Sequence, residues 1–295
     1  MTAPTNPAAT APNPARMAAK QIFIAIGLIA AFYVGATIMT TVTGSLLYGS
    51  MLTTAITALI VAWWRWSRPL PGSELVDDPT RPGHEIPLRR ARIRALGLNQ
   101  VLVGFGTIAC AWFASSLVLI NVRDSVDSPG FARTSEALAS APALVLLAFV
   151  IFIAPVGEEA LMRGAIYPVL RRGMPIAFAA LLSAVAFGLV HGNVVQLITT
   201  IPLGIIAALV YEATGYLRAA IGVHLSYNLL GLFAVGGPMI KFAEGNLGLV
   251  AAALSGTIAV LGIIHIYTAT TQFAAEQSEQ MIKLGSEDPE GDAKA

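Results

Sequence analysis

Eight apolar blocks, each about 20 residues long, recur along this chain, and no other feature restricts its fold as strongly. They run approximately over Gln21–Val42, Ser45–Trp64, Leu98–Val122, Pro142–Tyr167, Met174–Val195, Leu197–Gly215, Ala219–Gly236 and Leu247–Thr268. A hydrocarbon core about 30 Å thick is crossed by about 20 helical residues, and only helices and closed barrels satisfy their own backbone there. The expected fold class is all-α, a polytopic membrane helix bundle with about eight transmembrane helices. Composition points the same way: 56% of the 295 residues are hydrophobic and 12% charged, where a soluble domain has about 25% charged residues.

The chain divides into a disordered N-terminal tail (1–18), an eight-span membrane domain (19–270) and an acidic C-terminal tail (271–295). Between the second and third spans a polar loop carries Arg65, Arg68, Arg81, Arg89, Arg90, Arg92 and Arg94. With eight spans both termini lie on one side. Counted that way, fourteen Lys and Arg residues fall on the loop's side and three (Arg123, Arg133, Lys241) on the other, with Arg163 left aside as intramembrane. Positive charge collects in the cytoplasm, so the expectation is a multi-pass plasma-membrane protein with both termini cytoplasmic and the bilayer as its constant partner. Arg outnumbers Lys fourteen to four, which together with the Ala/Pro-rich start points to a prokaryotic source. No basic patch carries interleaved aromatics, which argues against nucleic acid as a partner. The single cysteine, Cys110, lies inside the third block and is a packing residue.

Against this apolar background Glu158 and Glu159 stand out, because an ionised side chain at the centre of a span costs roughly 2.5 to 3.5 kcal/mol on insertion scales. Successive helical residues point about 100° apart, whereas residues four apart are neighbours. Glu159 can therefore be neutralised by Arg163, leaving Glu158 without a local partner as a candidate general base. His191 and His224 are two of four histidines, and both fall in apolar segments read as helical. Asn228 lies one turn after His224 on the same face, so an imidazole and a carboxamide can be presented to one point, as donors suited to an oxyanion. Phe187, one turn before His191, is placed to pack on its ring. Pro168 is expected to end the fourth helix early and Pro175 to delay the fifth, bringing Glu158 and His191 to a similar depth.

The three patterns, Glu158-Glu159-x-x-x-Arg163, Phe187-x-x-x-His191 and His224-x-x-x-Asn228, appear in order on separate apolar segments. They resemble the CPBP superfamily, the CAAX proteases and bacteriocin-processing enzymes also called the Abi family, and no defining position departs from that pattern. The resemblance covers 142–236, the expected catalytic core. It implies an intramembrane endopeptidase acting on a membrane peptide or protein, similar to type II CAAX prenyl endopeptidases. Carried over by position, Glu158 and His191 hold and activate the attacking water, His224 and Asn228 stabilise the oxyanion, and Glu159 and Arg163 orient and neutralise the site. Members are often called metalloproteases, and Glu158, His191 and His224 resemble a zinc ligand set; water activated by glutamate needs no metal, and the metal-free mechanism is the expectation, with zinc as the alternative. Two other classes use similar residues: a proton-coupled transporter, and a non-catalytic membrane scaffold or immunity protein. The first calls for repeated halves, which the sequence does not show, and the second for a missing catalytic position, and none is missing.

Overall fold

The structure is a computed structural model that describes residues 13–66, 75–78, 81–122, 126–234 and 237–286. Its helices are α1 (Pro14–Thr43), α2 (Leu46–Trp66), α3 (Leu88–Ala95), α4 (Leu98–Val122), α5 (Pro129–Ala139), α6 (Ala143–Arg171), α7 (Ile176–Leu189), α8 (Val194–Thr214), α9 (Leu217–Ala234), α10 (Gly237–Ala243) and α11 (Asn246–Ser286). Each expected apolar block contains a helix, although in the fifth that helix covers only Ile176–Leu189. Six of them, α1, α2, α4, α6, α8 and α11, are long and apolar enough to cross a membrane. Of the other two, α7 has 14 residues and α9 carries Arg218, His224 and Asn228 among its 18. The chain is thus an all-α polytopic membrane protein. Large apolar side chains face outward, among them Phe23, Trp63, Leu144 and Leu247, as suits a surface bathed in lipid rather than water.

The anticipated boundaries at 18 and 271 fall inside helices. Asn13 accepts the Ala15 N–H through its side chain and Pro14 occupies the first turn, so α1 begins before its apolar block. The last helix continues past the block to Ser286. Residues 1–12 and the acidic residues Glu287, Asp288, Glu290 and Asp292 lie outside the described residues. The polar loop also holds an antiparallel hairpin, β1 (Leu75–Asp78) with β2 (Arg81–Pro87), registered by Val76 opposite Ile86.

Helix α6 carries the glutamates and is not a uniform α-helix. Two π-helical stretches, Phe149–Ile153 and Ala160–Ile166, bracket the α-helical turn Ala154–Glu159. Each stretch is followed within two residues by a proline, Pro155 or Pro168. A proline has no N–H to give and its ring crowds the preceding turn; the wider π turn accommodates both. For that reason Pro168 does not end the helix early, contrary to expectation, and α6 runs on to Arg171. Pro175 does immediately precede α7.

Helix α2 packs closely on α6. A Cβ on Gly157 would run into the Thr54 backbone carbonyl, and one on Gly164 would lie 2.6 Å from a Val61 methyl. Thr54 and Val61 are seven residues apart, as are the two glycines, so the contact repeats every two turns. Small residues of this kind let membrane helices approach closely. Gly157→Ala is expected to lower stability by about 1–3 kcal/mol, read as a reduced Tm in detergent; an unchanged Tm would show that α2 does not seat there. Behind α6, the principal apolar core joins Met162, Ile166, Phe187, Ile206 and Val223 of α6 to α9. Helix α8 is the most buried of the spans and α1 the least.

Candidate active site

Spacing alone placed Glu159 beside Arg163, and their side chains pair at 3.0 Å with both fully buried. Arg163 also donates to the Gly204 carbonyl of α8, and its guanidinium lies 5.6 Å from the centre of the Phe187 ring. Buried charge is tolerated only when paired and hydrogen-bonded, and Arg163 meets that condition through three helices. Glu159 has a second partner that no local spacing indicated: His224 Nδ1 donates to its Oε1 at 3.0 Å. The carboxylate therefore holds one tautomer of His224 and turns Nε2 away from itself.

His191 is oriented by different means. Helix α7 stops at Leu189, so His191 is not on the helix as expected but in the turn just beyond it, followed by Gly192 at φ 68°. That positive φ turns the chain toward Asn193, which caps α8 by accepting the Gln196 N–H. Within the turn, His191 Nδ1 meets the Phe187 carbonyl at 2.8 Å. A carbonyl only accepts, so Nδ1 carries the proton and Nε2 is left open.

Both open nitrogens face Glu158. Its Oε2 lies 4.0 Å from His191 Nε2 and 3.9 Å from His224 Nε2. The side chains of Glu158 and His191 are 16% and 17% exposed, against 4% for His224 and none for Glu159. The site thus has a buried half (Glu159, Arg163, His224) and an accessible half (Glu158, His191). Phe187 stands between them, edge-on to His191 at 5.1 Å and to His224 at 5.4 Å. The packing expected against one imidazole therefore extends to both.

Asn228 also reaches α6, but it meets a different partner, eight residues before Glu158. Its amide donates to the Val150 carbonyl at 2.8 Å. Val150 would receive the N–H of residue 155 in the π register, and residue 155 is proline. Asn228 also lines a cavity of about 330 Å³ with Trp112, Ser116 and Thr200. A larger one, about 730 Å³, opens toward the other end of α9 along Gly222, Val223 and Ser226, so the two flank His224 along its helix.

Two polar groups near the site carried no readable signal. Tyr33 of α1 donates to the Leu189 carbonyl, just before the His191 turn. Glu212 is a third acid inside an apolar block; it pairs with Arg171 at 3.0 Å and accepts from Tyr167 at 2.8 Å. Its partners are more than 40 residues away, beyond the reach of helical spacing.

The residues do not fit a zinc ion as placed. Among the described residues no group of three or more His, Cys, Asp or Glu side chains could hold a metal. The 3.9 and 4.0 Å separations exceed the roughly 3.4 Å between donors of a tetrahedral site with bonds of about 2.0–2.1 Å. They do suit a water: an oxygen about 2.8 Å from each of two such atoms sits at a near-right angle between them.

A carboxylate and two imidazoles thus converge inside a polytopic helix bundle. Residues 140–230 match the family model described as Type II CAAX prenyl endopeptidase Rce1-like, consistent with a CPBP family intramembrane protease. All three motifs fall within that range. The match supports intramembrane peptide hydrolysis in general. No curated protein and no solved structure matches the chain.

Proposed function

We propose that this chain is an intramembrane endopeptidase in which Glu158 and His191 activate a water against a peptide bond of a membrane-associated or lipidated substrate. The observation that carries this reading is the approach of two imidazole nitrogens to one carboxylate oxygen, each about a water's breadth away. Water held there gives its proton to Glu158 as its oxygen attacks the carbonyl carbon. Glu158 then returns that proton to the leaving amine, so the carboxylate acts first as base and then as acid.

The tetrahedral oxyanion needs fixed donors. His224, its Nδ1 held by Glu159, supplies one from Nε2 when that nitrogen also carries a proton. Asn228 spends one amide hydrogen on Val150 and has a second to offer. Arg163 holds Glu159 in place, while Phe187 holds the angle between the imidazoles. The low-dielectric surroundings strengthen each of these dipoles. The distribution of arginines supports cytoplasmic termini in a plasma membrane.

The test compares membrane-peptide cleavage products in cells carrying the wild type and Glu158→Gln; identical profiles would count against a peptidase. Exhaustive chelation of the detergent-purified protein is expected to leave cleavage unchanged. Complete loss that zinc restores would overturn activation of water by Glu158 without a metal.

A further inference from the structure

Arg65 stands at the end of α2, and in sequence it is one more positive charge beside the cytoplasmic loop. In the fold its Nη1 donates to the Gly164 carbonyl of α6 at 3.2 Å and to the Tyr211 hydroxyl of α8 at 3.1 Å. Gly164 follows Arg163 directly and lies in the π-helical stretch Ala160–Ile166. The residue that would donate to its carbonyl in an α-helix is Pro168, which has no N–H. On the other side of the glutamates a proline again withholds a donor, there in the π register, and Asn228 of α9 caps the Val150 carbonyl. The turn bearing Glu158 and Glu159 is thus bounded by two proline-disrupted π stretches, each with a carbonyl held by a side chain from a different helix.

We propose that Arg65 is a positioning residue of the active site: by capping the Gly164 carbonyl it holds the π turn that delivers Arg163 to Glu159. The connection is short. Gly164 is covalently next to Arg163, Arg163 pairs with Glu159 at 3.0 Å, and Glu159 orients His224 at 3.0 Å. Without Arg65, the turn is free to relax toward a tighter register, and rotation there swings Arg163 away from its carboxylate. Contact with Val61, one turn earlier on α2, reinforces the seat, and Tyr211 links it to Tyr167 of α6 through an edge-on ring contact at 6.0 Å. A charge serving only membrane topology would need neither hydrogen bond. This inference rests on the peptidase reading for its activity readout alone.

The experiment is a double-mutant cycle on the full-length protein in detergent, with Arg65→Met and Pro168→Ala singly and together. Pro168→Ala returns a backbone N–H to the turn. Cleavage per folded molecule, taken well below each variant's own Tm, is expected to fall about tenfold to a hundredfold in Arg65→Met. It is expected to change little in Pro168→Ala, where Arg65 still holds the carbonyl. In the pair Tm is expected to recover while cleavage does not, because the restored N–H lets the turn close in the tighter register, and recovery of cleavage there would overturn the proposal. A purely structural Arg65 would lower Tm but leave cleavage per folded molecule intact, which overturns the proposal. Strictly additive effects of the two substitutions on Tm overturn it as well. Should Arg65→Met not fold, recovery of folded protein in the pair supports the proposal and continued failure overturns it. If Glu158→Gln leaves cleavage products unchanged, the peptidase reading fails, while coupling in Tm still decides the role of Arg65.

Discussion

Replacing Glu158 with Gln is expected to lower peptide cleavage by about 10²- to 10⁴-fold, the range general acid–base catalysis contributes, while Tm stays close to that of the wild type. Glutamine keeps the length and shape of the side chain but cannot take a proton. Glu158 is 16% exposed and stands about 4 Å from both imidazoles, so no close ion pair is broken by the exchange. Loss of cleavage with retained Tm is the signature of a group that acts on the reaction rather than on the fold. Retained cleavage would remove Glu158 from the mechanism, and a large fall in Tm would place it in the architecture instead.

Arg163→Met is expected to act in the opposite sense, destabilising the protein by about 3–5 kcal/mol, the cost of leaving a buried charge without its partner. Glu159 has no exposed side-chain surface, and once Arg163 is gone the partner left to its carboxylate among the described residues is His224. Adding Glu159→Gln to Arg163→Met removes the stranded charge and is expected to recover a large part of the stability. Activity is not expected to return with it, because His224 then lacks the carboxylate that fixes its tautomer. Thermal unfolding in detergent reads the first effect and cleavage the second. An Arg163→Met protein with wild-type Tm would show that the pair contributes nothing to the bundle.

These two substitutions separate what was readable in the linear chain from what was not. Residues four apart on a helix are neighbours whatever the rest of the protein does. On that ground Glu159 could be assigned to Arg163 and Phe187 to His191, and the pairs stand at 3.0 Å and 5.1 Å. The contact between Glu159 and His224 spans 65 residues and depends on how α9 lies against α6. Asn228 illustrates the same limit. Its place one turn after His224 was visible, but its bond to Val150 arises because Pro155 and the π register leave that carbonyl open. Pro168 carried a local expectation of helix termination that the π turn before it overrides. Glu212 and Tyr33 gave no local signal, and Arg65 gave only a topological one, because their partners come from other helices.

The sequence by itself determined that this chain is a bundle of membrane helices, where those helices fall, and which residues are too polar to be there without a purpose. Hydrophobic length and 3.6-residue periodicity are local properties, and they survive any arrangement of the helices. Only the tertiary structure decided which nitrogen faces which carboxylate, that His191 sits in a turn beyond its helix, and that Glu158 is the accessible acid and Glu159 the buried one. Those outcomes depend on close helix approach at Gly157 and Gly164 and on proline-disrupted hydrogen bonds within α6. The close approach is not expressed until distant segments of the chain are packed together, and the carbonyls near the prolines are held only by side chains from other helices, Asn228 and Arg65.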